Sequence, residues 1–298
     1  MKILCVGGQG QVARALNELA NARGLELLAQ GRPELDLLKP TNIRAKLESY
    51  QPNFVVNAAA YTAVDAAETD LDAARDLNHI AAGMLAEITA QMGIPIAHLS
   101  TDYVFSGQGT EPYRETDSVA PTGVYGQTKL DGEIAVAQKN PKHLILRTAW
   151  VYSATGKNFV KTMLRLAADR EELTIVDDQF GNPTSALDIA AAILSICATV
   201  IDAPDFSAWG TYHLAGTGTT SWAGFATEIF NQSKAKGGPS AIVTPIPSEA
   251  YPTPAKRPAN SRLSCRKLEA EFNITLPPWQ NSLDVVLERL LTDQESSQ

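Results

Sequence analysis

The sequence predicts an α/β fold in which a doubly wound parallel sheet is followed by a smaller C-terminal α/β domain. Two observations lead to this prediction. Short apolar runs alternate with helical patterns through the first half of the chain, and the first run ends in a glycine turn that opens into a helix. Strands and helices that alternate in this way form parallel sheets with right-handed crossovers, covered by helices on both faces.

The elements of the first half follow from the spacing of apolar residues. Helical intervals predict helices and short apolar runs predict strands. The predicted strands occupy residues 3–6, 25–29, 54–60, 94–99 and 144–150. The predicted helices occupy residues 11–23, 41–50 with Thr41 as cap, 66–92 and 125–138.

The second half is less regular. It predicts a helix over 159–169, a strand over 173–176 and a helix over 186–198. Residues 239–258 are rich in proline and are expected to form an ordered loop, and the polar end at 292–298 is expected to fray. We therefore expect a dinucleotide-binding Rossmann domain over 1–148, to which later segments return, and a mainly substrate-binding domain over 149–298.

Composition narrows the function classes. The chain has 298 residues and a formal net charge of −8, which argues against nucleic acid or an anionic membrane as a partner. Its cysteines, Cys5, Cys197 and Cys265, are too far apart for a zinc cluster. With no signal peptide or membrane-length apolar run, we expect a cytoplasmic enzyme. An anionic small-molecule substrate would then need local positive charge.

A glycine turn between the first strand and the first helix predicts a Rossmann-like dinucleotide site. Gly7 and Gly10 permit a tight turn and a close approach of the pyrophosphate to the backbone, and Ala13 is small enough for helix–sheet packing. Such a turn also occurs for structural reasons alone, so other features must support it.

Arg32 follows the second strand, where such folds meet the adenosine ribose. An acid at this place favours NADH, whereas an arginine tolerates the 2′-phosphate of NADPH. Arg32 therefore favours NADPH, with NADH as the alternative cofactor, although a solvated loop arginine is nearly as good an explanation.

Tyr125 and Lys129 lie four residues apart on a predicted helix and so share one face. A free tyrosine has a pKa of about 10, and a nearby ammonium is expected to lower that pKa. The pair would then serve as a proton donor.

Two further segments lie at the carboxyl edge of the predicted sheet. The Thr101 hydroxyl could bind a substrate carbonyl oxygen while Tyr125 protonates it, or it could merely cap a strand end. Ala59 and its small neighbours after the third strand would let a cofactor lie against the backbone, and packing alone also explains them.

Together these features resemble the extended short-chain dehydrogenases that act on nucleotide sugars. The resemblance extends over essentially the whole chain. It is carried by five segments in the family's order, namely residues 57–65, 100–105, 125–129, 147–152 and 251–258. It implies reduction of the C4 keto group of dTDP-4-dehydro-L-rhamnose by NADPH or NADH, for the synthesis of rhamnose-containing polysaccharides.

The resemblance also implies residue roles. Tyr125 is the general acid, Lys129 holds the nicotinamide ribose and tunes Tyr125, and Thr101 orients the keto oxygen. The implied cofactor positions are Gly10, Gln11, Val12, Asp36, Leu37, Ala60, Tyr61 and Thr62. The implied substrate positions are Val64, Asp102, Tyr103, Trp150 and Arg257. Trp150 could cover a sugar ring, although a tryptophan after a strand is more often core. Arg257 could hold a phosphate with two hydrogen bonds.

Two other functions share this fold. Sugar-nucleotide dehydratases and epimerases retain the Tyr/Lys pair, but dehydratases usually have Asp-Glu after the threonine, where this chain has Asp102-Tyr103. The regulatory subunit of methionine adenosyltransferase resembles these reductases and acts as a binding partner.

We expect no metal site. Some family members form dimers bridged by magnesium through glutamates, whereas the matching positions here are Ala15 and Leu187. The chain is therefore expected to be a monomer or a homodimer without that bridge. The histidines show no metal-ligand spacing, and we assign them no role.

Overall fold

The alternating strands of the first half assemble into one parallel sheet, which confirms the predicted α/β class. The computed structural model describes residues 1–295 and, up to residue 292, their side chains. The first strands are β1 (Lys2–Val6), β2 (Glu26–Gln30), β3 (Phe54–Asn57), β4 (Ile96–Thr101) and β5 (His143–Thr148). The helices among them are α1 (Gln11–Ala22), α2 (Pro40–Tyr50), α3 (Val64–Ala67), α4 (Leu71–Arg75), α5 (Ala81–Gln91) and α6 (Val124–Lys139).

Strand β1 shows why helices cover both faces. Ile3 and Cys5 pack into one apolar cluster, and Leu4 and Val6 pack into the other, because successive side chains of a strand point to opposite faces. The strand order is β2-β1-β3-β4-β5, with a further strand beside β5. The order reverses between β1 and β3, and the crevice at the carboxyl ends of these strands is where open α/β sheets bind ligands.

The second half contains small sheets and longer helices. Its strands are β6 (Val151–Tyr152), β7 (Glu172–Val176), β8 (Phe180–Gly181), β9 (Thr184–Ser185), β10 (Gly210–His213), β11 (Thr220–Ser221), β12 (Ile242–Ile246) and β13 (Asn260–Ser261). Its helices are α7 (Phe159–Ala167), α8 (Ala186–Asp202), α9 (Trp222–Ala235), α10 (Arg266–Phe272) and α11 (Trp279–Glu295). Strand β10 returns to pair with β5 in the large sheet. The boundary at residue 148 stays a prediction.

Several predicted elements were wrong in their bounds. The helix expected over 66–92 begins at Val64 and is divided into α3, α4, a π-helical turn at Asp76–Ile80, and α5. Helix α2 begins at Pro40 with Lys39 at the cap position, so Thr41 is not the cap. Proline suits the first helical position because its missing N–H has no intrahelical partner there.

The proline-rich segment and the chain end also differ from expectation. Residues 242–246 of the expected loop form β12, which pairs only with β7, and Pro245 fits because an edge strand leaves one side unpaired. The end expected to fray from residue 292 remains helical to Glu295, and residues 296–298 lie outside the described part. Among the described residues, no helix has the length and apolar character needed to cross a membrane.

Candidate active site

The glycine turn has the close approach that the sequence predicts. Gly7 has a φ of 111°, and a Cβ at this residue would lie 2.8 Å from the Ala58 carbonyl carbon. The Gly10 N–H donates to the Gly7 carbonyl oxygen (2.9 Å), and Gly10 precedes α1 with no side chain over the helix end. The open backbone at this helix N-terminus fits the pyrophosphate of a dinucleotide.

Gln11 and Val12 begin α1 but face different surroundings. Val12 is buried in the apolar cluster beneath the sheet. The Gln11 amide oxygen accepts hydrogen bonds from the Ser153 hydroxyl and the Asn158 amide, both at 2.9 Å. Gln11 therefore connects the glycine turn to the C-terminal half, which the sequence analysis missed because the partners are more than 140 residues away.

At the end of β2, the predicted cofactor residues differ in accessibility. Arg32 is exposed, so its guanidinium is free to meet an added phosphate. Asp36 accepts from the Leu38 N–H at 3.1 Å, while the Leu37 side chain is buried in the second apolar cluster. Only the backbone of Leu37 can therefore face a ligand.

Residues 59–62 follow β3 and form one wall of the crevice. The Ala59 N–H donates to the Asn57 side-chain oxygen (3.2 Å), and the Tyr61 N–H donates to that of Asn78 (2.8 Å). Ala60 is half-buried and Thr62 is exposed. The buried Asn78 also donates to the Thr128 hydroxyl at 3.1 Å, so it ties this wall to α6. Asn78 was not predicted, because no local sequence pattern indicates a contact between residues so far apart in the chain.

Thr101, Tyr125 and Asp102 come together at the end of β4. The Thr101 hydroxyl donates to the Asp102 carboxylate (2.9 Å) and lies close enough to the Tyr125 phenol to affect its pKa. Burial raises the pKa of Asp102 to about 6, although hydrogen bonds from Ser261 and Thr101 oppose the rise. The predicted juxtaposition of Thr101 with Tyr125 is therefore present, with Thr101 as the last residue of the strand rather than beyond it.

The expected effect of Lys129 on Tyr125 is absent. Burial raises the pKa of Tyr125 well above its usual value; the Thr101 hydrogen bond opposes this rise, while Asp102 and Tyr103 add to it. The Lys129 ammonium nitrogen is directed instead to the Leu99 carbonyl oxygen at 2.6 Å. Burial lowers the pKa of Lys129 to about 8. Tyr125 is thus a protonated phenol in this state.

Helix α6 is held in place by contacts that were not predicted from the sequence. The Glu68 carboxylate accepts from the Val124 N–H at the helix start (2.9 Å). Gly126 allows α6 to approach the turn that follows β4, since a Cβ there would overlap the Tyr103 carbonyl oxygen. One turn after Lys129, Glu133 forms a buried ion pair with Arg147 at 2.6 Å.

Arg257 joins the proline-rich segment to the first half of the chain beside this centre. Its guanidinium bonds with the Asp65 carboxylate at 2.7 Å and with the Tyr103 hydroxyl at 3.4 Å. The Tyr103 ring lies edge-on to the Tyr125 ring, with centroids 5.5 Å apart. Arg257 is therefore linked to the Tyr125 centre through one side chain, and Asp65 already neutralises part of its charge.

Arg257 also lines a cavity of about 1170 Å³ in the C-terminal half. Phe159 and Trp222 give it an aromatic wall, and Arg170 and Lys256 add positive charge at exposed positions. The sequence analysis missed these four residues. Lys256 stood beside Arg257 in a quoted segment, and that adjacency was the available signal.

Trp150 and Val64 occupy neighbouring but different environments. Trp150 has a φ of 49° and stacks on Trp222 with ring centroids 3.6 Å apart. The predicted strand to residue 150 was therefore wrong beyond Thr148, because a positive φ breaks the extended backbone. Val64 is half-buried at the start of α3. Neither Trp150 nor Val64 lines the cavity.

The two positions at which the resemblance implies bridging magnesium ligands are apolar here. Ala15 is a buried member of the first apolar cluster, and Leu187 packs against that cluster. Within residues 1–295, no group of three or more His, Cys, Asp or Glu side chains could hold a metal ion.

The sequence profile of the family described as RmlD substrate binding domain matches residues 1–292. The chain belongs to this family. A dTDP-4-dehydrorhamnose reductase from Sinorhizobium fredii is 45% identical over 98% of this chain and 99% of its own length. The family assignment confirms the resemblance found in the sequence, and it covers both halves of the chain.

Solved structures agree with this assignment. A dTDP-4-dehydrorhamnose reductase from Clostridium acetobutylicum has a TM-score of 0.90 and 38% identity, over 98% of this chain and 100% of that one. A second, from Bacillus anthracis in complex with NADP, has a TM-score of 0.89 and 33% identity, over 97% and 100%. The chain is therefore a nicotinamide-dependent oxidoreductase of the RmlD family.

Proposed function

We propose that this RmlD-family chain reduces the C4 keto group of dTDP-4-dehydro-L-rhamnose with NADPH to give dTDP-L-rhamnose. The observation that carries the proposal is the juxtaposition of the Thr101 hydroxyl and the Tyr125 phenol at the end of β4, beside the sheet's ligand crevice. Relatives of nearly the same length that are named dTDP-4-dehydrorhamnose reductase support the choice of substrate.

The protonation state of Tyr125 suits a reduction. Reduction of a ketone adds a hydride to carbon and a proton to oxygen, and the bound dinucleotide supplies the hydride. Tyr125 donates the proton to the keto oxygen, and its raised pKa means that the phenol holds this proton at neutral pH until it is needed. The Thr101 hydroxyl turns from Asp102 to the same oxygen and stabilises the negative charge that develops there.

We assign the cofactor to the crevice between β1 and β3. Gly7, Gly10, Gln11 and Val12 would hold its pyrophosphate, and Ala59–Thr62 with Lys129 would hold its nicotinamide side. Asp36 and the Leu37 backbone would lie near the adenosine. The exposed guanidinium of Arg32 favours NADPH, because it can pair with the 2′-phosphate without breaking another contact.

The sugar nucleotide would lie between the Tyr125 centre and the C-terminal cavity. The cavity is large enough for a nucleotide, since ligand pockets typically measure about 300–1,000 Å³. Arg257 would bind the diphosphate, and Arg170 and Lys256 add positive charge beside it. This local positive charge is needed because the chain as a whole has a net charge of −8, which repels an anionic substrate. On the Tyr125 side, the sugar would be bordered by Val64, Asp102, Tyr103 and Trp150. This division assigns the cofactor mainly to residues 1–148 and the nucleotide mainly to residues 149–298.

Incubation of the protein with dTDP-4-dehydro-L-rhamnose and each reduced cofactor tests the proposal. We expect stoichiometric formation of NADP⁺ and dTDP-L-rhamnose, measured by absorbance and chromatography, and faster turnover with NADPH than with NADH. A dehydratase or epimerase would instead retain and recycle its nicotinamide, and a regulatory subunit would show no turnover. Either of these results would refute the proposed reduction.

A further inference from the structure

A chain of buried side chains runs from the wall at residues 59–62 to Lys129. His98 and Asn57 are opposite each other on β4 and β3, and neither is more than 1% exposed. The Asn57 amide nitrogen lies 3.0 Å from His98 Nδ1. His98 Nε2 lies 3.3 Å from the amino nitrogen of Lys129. His98, to which the sequence analysis assigned no role, is packed in the core and faces a residue of the proposed centre.

The direction of these hydrogen bonds follows from one backbone group. The Ala59 N–H can only donate, so the Asn57 atom that it contacts at 3.2 Å must be the side-chain oxygen. The Asn57 amide nitrogen therefore faces His98 and donates to Nδ1. A neutral imidazole that accepts at Nδ1 carries its proton on Nε2. That N–H then points at the Lys129 nitrogen.

This arrangement satisfies the hydrogen bonds of Lys129 better when its side chain is a neutral amine than when it is an ammonium. An ammonium has three donors and no acceptor, so the Nε2–H and the charged group would face each other donor to donor. A neutral amine accepts from Nε2–H with its lone pair while it donates to the Leu99 carbonyl oxygen at 2.6 Å. Each polar atom in the chain from Ala59 to Leu99 then has a partner of the opposite kind.

We propose that His98 is a positioning residue for Lys129, and that Asn57 holds the His98 ring N–H toward the Lys129 nitrogen so that protonation of Lys129 is disfavoured. The proposal deepens the reductase function proposed above and rests on it. Lys129 then becomes a group that gains and loses a proton close to neutral pH rather than a fixed positive charge.

The other charged groups near Lys129 act in known directions. Burial lowers the pKa of Lys129 to about 8, and the Glu133 carboxylate on α6 raises it. Arg147 on β5 neutralises Glu133 through the buried ion pair and so limits this opposing effect. Tyr125, one turn earlier on α6, remains a neutral phenol because burial raises its pKa. Burial and then Lys129 lower the pKa of His98, so the ring stays neutral.

The tautomer can be measured without any activity. Two-dimensional NMR of ligand-free protein with ¹⁵N-labelled histidine distinguishes protonated from unprotonated ring nitrogens, and the signals lost in His98→Leu identify His98. We expect a neutral His98 ring with its proton on Nε2. A proton on Nδ1, or a charged ring, overturns the proposal. Since this readout needs no substrate, it stands or fails separately from the reductase function.

The substitution Asn57→Asp reverses the donor and acceptor roles in this row of hydrogen bonds. One carboxylate oxygen accepts from Ala59, and the other now accepts from His98 Nδ1–H, so Nε2 becomes an acceptor that favours the ammonium. We expect the alkaline limb of the pH profile of kcat/KM to move up by about one pH unit, a tenfold change in the proton affinity of Lys129. The matched control is Asn53→Asp, at an exposed position just before β3, which should leave the limb unchanged.

The new carboxylate also raises the proton affinity of Lys129 by its charge alone, so a moved limb supports the proposal only if the NMR spectrum of the variant shows a proton on His98 Nδ1, and a moved limb without that proton overturns it. An unmoved limb in folded Asn57→Asp also contradicts the proposal. If that variant does not fold, the tautomer of the wild-type protein decides the matter.

Discussion

Arg257→Ala should weaken binding of the sugar nucleotide while leaving NADPH binding nearly unchanged. The guanidinium lines the C-terminal cavity and lies 3.4 Å from the Tyr103 hydroxyl, which places it between the nucleotide and the Tyr125 centre. Loss of a hydrogen bond to a charged group costs about 1.5–3 kcal/mol, which corresponds to a roughly tenfold to hundredfold rise in KM.

Asp65 makes the upper part of this range the better expectation. The carboxylate lies 2.7 Å from the Arg257 guanidinium, and it is 41% exposed. After truncation of Arg257 it would face the diphosphate with no partner, although solvent screens part of the repulsion. The double variant Asp65→Asn/Arg257→Ala removes this repulsion and leaves only the loss of the direct contact, so its KM should fall between those of wild type and the single variant.

Steady-state kinetics with varied sugar nucleotide and with varied NADPH measure both constants. Arg266→Ala is the control, because Arg266 is an exposed arginine at the start of α10 outside the cavity. If Arg257→Ala retained the wild-type KM for the sugar nucleotide, or raised only the KM for NADPH, the assignment of the diphosphate to Arg257 would be wrong.

Three further outcomes are expected. Glu133→Gln should lower the free energy of unfolding by about 3–5 kcal/mol in urea titrations, because it leaves the buried Arg147 guanidinium without a counter-ion; a loss below 1 kcal/mol would contradict this reasoning. Asp102→Asn should stabilise the protein at pH 8 but not at pH 4. The folded-state pKa of Asp102 is about 6, above its unfolded value, so its favourable contribution is complete below the unfolded pKa and is lost as pH rises through 6; equal effects at both pH values in thermal melts would refute this. EDTA should change neither activity nor sedimentation, since Ala15 and Leu187 offer no metal ligand, and loss of both on chelation would show that a metal site exists.

The sequence predicted five of the six strands of the large sheet, because β1, β3, β4 and β5 are short apolar runs buried on both faces, whereas β10 was not predicted. Each such run, for example residues 3–6, is too apolar for a loop and is followed by a glycine or a helical pattern. The glycine turn at Gly7 was predictable for the same reason, since it combines a local backbone requirement with a fixed place after β1.

The irregular half was harder because its elements are short and depend on distant partners. Two-residue strands such as β8 and β13 have no periodicity of their own and depend on pairing with distant strands, since β8 pairs with both β13 and β11. The break in the predicted helix 66–92 has a similar origin. Asn78, in the π-helical turn, bonds with Tyr61 and Thr128, so tertiary contacts rather than local propensity set the helix path.

In the proposed site, too, local spacing was predictable from the sequence and contacts between distant segments were not. The spacing of Tyr125 and Lys129 indicated a shared helix face, and the structure places both in the first turns of α6. The spacing could not show that Lys129 turns toward Leu99 and His98, because these contacts depend on how α6 packs on β4. For this reason the expected lowering of the Tyr125 pKa was wrong.

Turnover by Tyr125→Phe tests most directly the claim that Tyr125 supplies the proton for reduction. The variant keeps the aromatic ring and removes only the hydroxyl that lies beside Thr101. Single-turnover reduction of dTDP-4-dehydro-L-rhamnose should slow by about 10²–10⁴, the usual contribution of a general acid, while NADPH affinity, measured by cofactor fluorescence, stays near that of wild type. A variant that binds NADPH normally and reduces the substrate at the wild-type rate would contradict the assignment of Tyr125 as the general acid.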